Sequence, residues 1–140
     1  MKTKPHGLLS IVGIGPGKRE HMTIAAHHCL KNADVIAAYK GYLGLIPGYV
    51  EGKIIITTGM RGEKERAAKA LEAASRGLKV AVVSSGDAGI YGMAGLILES
   101  ITDDYNRHFE ITIIPGVTAA SAAAAVVGAP LMSDFAVISL

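Results

Sequence analysis

One carboxylate, Asp87, stands in the run from Lys79 to Gly95, where an apolar β-branched stretch ends on small residues. Gly86 and Gly89 let the backbone approach a ligand closely, and the carboxylate can accept hydrogen bonds from a ribose hydroxyl or an ammonium group. A strand that stops at such a turn and resumes as a helix has the form of a ligand-binding loop at the carboxyl end of a strand. The same carboxylate can instead N-cap the helix that follows. If it binds ligand, Asp87→Asn should retain much of the capping and lose affinity.

Two more turns carry similar material. Ile11-Val12-Gly13-Ile14-Gly15-Pro16-Gly17 follows an apolar run and invites a dinucleotide reading. The third glycine of G-x-G-x-x-G would fall at Lys18, however, and Asp34 precedes the second strand where an acid at its end is required. A P-loop fails as well, because Val12 stands where glycine is needed and Arg19 where serine or threonine is needed. A tight turn remains, either lining a cleft with bare backbone or purely structural. Ile114-Pro115-Gly116-Val117-Thr118-Ala119-Ala120-Ser121-Ala122 is a second strand-turn-helix. Its helix start offers N–H groups and the Thr118 hydroxyl to a polar ligand, or uses that hydroxyl as a cap. Two such loops at one edge of a sheet would make a cleft.

Other chemistries find no footing. His27, His28 and Cys29 are adjacent on a helical pattern and point about 100° apart, so they cannot converge on one ion. His21 and His28 share a face but lie two turns, roughly 10 Å, apart. No metal site is expected, His6 and His108 read as solvated, and Cys29 reads as packed within its helix. No G-x-S-x-G occurs, and no histidine is placed to activate Ser84 or Ser85.

These turns need a scaffold, and the chain supplies one. Apolar runs at Leu8 to Ile14, Val35 to Ala38, Ile54 to Thr57, Val80 to Val83 and Ile111 to Ile114 read as buried strands. Helical patterns lie between them, at Met22 to Leu30, Glu63 to Arg76, Ile90 to Ser100 and Val117 to Val127. In the second of these, Ala67, Ala70, Leu71 and Ala74 make an apolar stripe closed by Gly77. The alternation predicts one α/β domain with a mostly parallel sheet flanked by helices, spanning residues 1–140. Asp134 to Leu140 reads as a further strand. The sequence stops inside it, and we expect polypeptide to follow Leu140.

Composition limits the partners. Lysine and arginine number 14 against 12 acids, for a formal charge of +2, and they are scattered along the chain. Neither a nucleic-acid nor a membrane-surface patch is expected. The uncharged stretch Val117 to Met132 is rich in alanine, serine and glycine and bracketed by prolines, which favours a closely packed helix over a membrane span. A single cysteine excludes an intrachain disulfide, and MKTKPHGLLS lacks the apolar core of a signal peptide. A reducing cytoplasm is the expectation.

Four segments together resemble the tetrapyrrole methylases: GIGPG at 13–17, ADVIAAYKGYLGLI at 33–46, MRGEKERAAKALEAA and VVSSGDAGIYGMAG within 60–95, and IPGVTAASAAAAVVGAPLMSDFAVISL at 114–140. The second and the SSGDAGIYGMAG stretch are most similar to the precorrin-3B C17-methyltransferases. A YDxLV-like segment, expected of uroporphyrinogen methyltransferases, is replaced by Tyr39-Lys40-Gly41-Tyr42-Leu43. The resemblance implies S-adenosylmethionine as cofactor, bound between two α/β domains of a protein that usually forms homodimers. It implies contacts from Pro16, from Ser85, Gly86, Asp87 and Ile90, and from Thr118 and Ala119. It further implies methylation of C17 of precorrin-3B, or of its cobalt form, with ring contraction in cobalamin synthesis. The family extends beyond the length of this chain, so the chain resembles an amino-terminal domain whose carboxyl-terminal partner is absent. The alternatives are a non-catalytic ligand-binding half-protein, or a tetrapyrrole methylase acting at a neighbouring carbon. Tyr39, Lys40, Arg61 and Glu63 lie near strand ends, where they can meet carboxylate arms or face solvent. No catalytic base is assigned.

Overall fold

A computed structural model describes residues 6–102 and 109–140. The strands are β1 (Gly7–Gly13), β2 (Val35–Tyr39), β3 (Ile54–Thr58), β4 (Lys79–Ser84) and β5 (Phe109–Ile114). The helices are α1 (Ile24–Asn32), α2 (Lys40–Leu43), α3 (Glu63–Ser75), α4 (Ala94–Glu99) and α5 (Ala119–Val127). The strands form one five-stranded sheet in the order β3-β2-β4-β1-β5, and every pairing is parallel. Ile11 lies opposite Val82 on one side and Ile113 on the other.

Strand pleating divides the core in two. Leu9 and Ile11 of β1, with Val80 and Val82 of β4, face Ala67, Ala70, Leu71 and Ala74 of α3 and Ile97 of α4. Val12, Ala81 and Val83 face Ala26 and Leu30 of α1 together with Ile46 and Tyr49. The central strands are covered on both sides, which is why they read as unbroken β-branched runs. Local signals set the helix ends. The Thr23 side chain accepts a hydrogen bond from the Ala26 N–H, so α1 begins at Ile24 rather than Met22. Gly77, at φ +93°, turns the chain away after α3.

Four expectations need correction. Asp134 to Leu140 forms no strand: it has no ladder partner among the described residues and is exposed throughout. Apolar character alone does not make a strand when no neighbour takes up its backbone groups. The outer strands are not fully buried, since Ile54 is 57% and Ile113 48% exposed. Both lie on the edge strands of the sheet, β3 and β5, each with a neighbouring strand on one side only. The helix expected over Ile90 to Ser100 is shorter, because Tyr91 adopts φ +53° and α4 starts at Ala94. Finally, α5 is no closely packed buried helix: none of its residues is buried, because nothing described covers its apolar side. Among the described residues no helix is long and apolar enough to cross a membrane.

The singled-out histidines and cysteine have ordinary settings. His27 Nδ1 shares a hydrogen bond with the Tyr49 hydroxyl. Cys29 is half-buried, and burial pushes its thiol pKa up. His6 is exposed beside Glu110, while His108 lies outside the described residues.

Candidate functional site

All five strands point the same way, so the loops after them share one edge of the sheet. Those after β1, β4 and β5 meet backbone to backbone. Gly15 and Gly86 exchange a pair of hydrogen bonds, N–H to O at 3.0 and 2.8 Å. A Cβ on Gly13 would stand 2.6 Å from the Gly86 oxygen and 2.8 Å from the Gly116 nitrogen. One on Gly116 would stand 2.2 Å from the Gly86 oxygen. Only residues without side chains allow three loops to approach so closely.

Asp87 fixes this junction. Its Oδ1 accepts from the Gly116 N–H at 2.9 Å, and its Oδ2 accepts from the N–H groups of Gly89 and Ile90 at 2.9 and 3.3 Å. It is therefore neither free nor the cap of α4, whose N-cap is Met93. It closes a turn on its own loop and clamps that loop to the one after β5. The Gly116 N–H is the largest cause of an Asp87 pKa below the ordinary carboxylate range, with the Gly89 and Ile90 N–H groups adding to it against the opposing effect of burial. A carboxylate has about four acceptor positions, and the backbone N–H groups of Gly116, Gly89, Ile90 and Ala88 all act on this one.

The other residues singled out in the sequence divide between two places. Pro16 is exposed directly beyond Gly15. A Cβ on Gly86 would lie 3.7 Å from Thr118 Cα and 3.6 Å from the Ala119 nitrogen, so these residues border the junction. Thr118 is the N-cap of α5, yet its side chain makes no capping hydrogen bond. Among the described residues, its hydroxyl and the first N–H groups of α5 take no hydrogen-bond partner and can meet a polar ligand. Ile90 is exposed at the rim. Ser85 turns the other way, its hydroxyl donating to the Tyr42 hydroxyl at 3.2 Å.

Ser85 thereby belongs to a cavity of about 260 Å³ whose walls include Tyr39, Tyr42, Met60, Glu63, Arg66, Ser84, Tyr91 and Met93. It opens between the ends of β2 and β4. There the chain leaves β2 for β3 in one direction and β4 for β5 in the other, a topological switch point where open α/β sheets bind ligands. Of the polar residues noted near strand ends, Tyr39 and Glu63 line this cavity, whereas Lys40 and Arg61 are exposed and do not. Sequence reasoning missed Arg66, Tyr91 and Met93. For Arg66 a signal existed: it lies one turn before Ala70, on the apolar stripe of α3.

A parallel sheet with glycine-built loops and a switch-point cavity at its carboxyl edge defines an α/β ligand-binding domain. The chain belongs to the tetrapyrrole (corrin/porphyrin) methylases, a family that its residues 8–140 match. It is 48% identical over 133 residues to a probable cobalt-factor III C(17)-methyltransferase of Salmonella typhimurium, covering 95% of this chain and 55% of that protein. It is 38% identical over 142 residues to a precorrin-3B C(17)-methyltransferase of a Sinorhizobium species, covering 96% and 53%. The crystal structure of the methyltransferase CobJ superposes with a TM-score of 0.85 at 40% identity, over 94% of this chain and 55% of that one. The chain spans about half the length of the curated relatives it matches.

Proposed function

We propose that this chain is the amino-terminal domain of an S-adenosylmethionine-dependent C17-methyltransferase that methylates a tetrapyrrole and contracts its ring in cobalamin synthesis. The observation that carries this reading is the junction of three glycine loops clamped by Asp87. It leaves bare backbone, the Thr118 hydroxyl and the α5 N–H groups along one edge of the sheet. Identities of 48% and 38% to the two relatives favour the cobalt-containing substrate over metal-free precorrin-3B.

In this reading Pro16, Gly86, Asp87, Ile90, Thr118 and Ala119 border the cofactor, and Ser85 stands between cofactor and substrate. S-adenosylmethionine supplies a methyl group already activated by the sulfonium. The protein's part is to align that methyl with an electron-rich ring carbon and to exclude water. Half of that enclosure is assigned to polypeptide beyond this chain. The exposed apolar side chains Val126, Val127, Phe135 and Ile138 support a further polypeptide, or a second copy, over α5 and the last residues.

The test is a fusion of this chain to the carboxyl-terminal part of the Salmonella typhimurium relative, assayed with labelled S-adenosylmethionine and cobalt-factor III. The fusion should transfer label to C17 and the chain alone should not. A folded fusion that transfers none, or that labels a neighbouring carbon, contradicts the reading.

A further inference from the structure

Arg66 is 3% exposed and carries a charge that no protein environment removes. Among the described residues its partners are neutral: Nη1 donates to the Thr58 hydroxyl, Nη2 lies 3.6 Å from Met93 Sδ, and Nε is buried and finds no hydrogen-bond partner there. Among the described residues it forms no ion pair, although Glu63 lines the same cavity. A buried cation without a counter-ion is strongly destabilising, so its presence calls for an anion that none of the described residues supplies.

The cavity beside it is suited to receive one. Tyr39, Tyr42, Ser84 and Ser85 line it together with Arg66, as do Tyr91 and Met93. A planar guanidinium matches a carboxylate through paired N–H donors. The cavity lies between β2 and β4, whereas the glycine junction involves the loops after β1, β4 and β5. We propose that this cavity is a carboxylate subsite in which Arg66 holds one acidic arm of the tetrapyrrole. This rests on the methyltransferase reading for the identity of the ligand, and the carboxylate of S-adenosylmethionine is the competing source.

The probe is uroporphyrin, a multiply carboxylated porphyrin, titrated by fluorescence against its neutral methyl ester at the same detergent concentration. On the unmodified chain the acid should bind at least tenfold more tightly than the ester. Arg66→Met should weaken uroporphyrin at least tenfold while melting at the parent's temperature or above, because an unpaired buried charge has gone. Arg66→Lys, which keeps the charge and loses the fork, should fall between. Equal binding of acid and ester overturns the proposal, as does Arg66→Met binding within twofold of the parent. A parallel titration with S-adenosylhomocysteine in which only that ligand responds to Arg66→Met overturns the tetrapyrrole assignment. Failure of methyl transfer in the fusion, with Arg66-dependent uroporphyrin binding intact, would remove the methyltransferase reading and leave the subsite standing.

Discussion

Gly116→Ala is expected to destabilise the chain by about 1–3 kcal/mol, seen as a melting temperature lower by roughly 3–12 °C. The added Cβ would stand 2.2 Å from the Gly86 oxygen and 2.8 Å from the Gly13 oxygen, and both are backbone atoms that cannot rotate away. The loops after β1, β4 and β5 must therefore separate. Because Thr118 and Ala119 follow directly, cofactor affinity in the fusion protein should fall with stability. Gly48→Ala serves as the control: an added Cβ there meets nothing within 4 Å, so its melting point should stay near the parent's. Differential scanning fluorimetry of both variants checks the contrast. Equal melting of Gly116→Ala and parent would mean that the loops are not locked together.

Asp87→Asn is expected to cost about 1–3 kcal/mol, which departs from what the sequence suggested. Viewed as a cap, Asp87 should tolerate the amide. The structure shows that both oxygens accept N–H groups, from Gly116 on one side and from Gly89 and Ile90 on the other. Asparagine has one carbonyl oxygen, so its NH2 group would face a backbone donor whichever way it flips. The effect should depend on pH in a definite direction. The folded-state pKa of Asp87 is lowered, chiefly by the Gly116 N–H, so its contribution is complete above the unfolded value of about 3.9. It is lost as pH falls below that value and through the lowered one. Chemical denaturation of parent and variant between neutral and acidic pH should show the gap closing only at the acid end. A gap that stays constant, or one that is absent at neutral pH, would exclude the clamp.

What the sequence disclosed follows from the range of each interaction. The five strands could be read because strand pleating and two covering layers leave a local record in runs such as Val80 to Val83. The glycine turns were visible for a similar reason, since close backbone approach demands glycine at fixed positions. The bond from Asp87 to Gly116 joins residues 29 apart, and no local pattern announces it. Arg66 drew no reading of its own because charge ordinarily marks the outer face of a helix, and only its place on the apolar stripe argued otherwise. The left-handed Tyr91 left no signal, being a residue type that seldom adopts positive φ, so the helix after it was drawn too long. Asp134 to Leu140 misled in the opposite sense. Its apolar residues satisfy the pattern of a strand, but pairing depends on a neighbour that no segment encodes by itself.

The central claim is that the three-loop junction is this chain's share of an S-adenosylmethionine site. Amide NMR of the labelled chain, titrated with S-adenosylhomocysteine to millimolar concentration, tests it even where binding is weak. The expected shifts cluster at Gly15 and Gly17, at Ser85 to Ile90, and at Gly116 to Ala119, with the strands' opposite ends unmoved. No shifts at saturating ligand, or shifts gathered around α1 and the Arg19 to His21 turn instead, would contradict it.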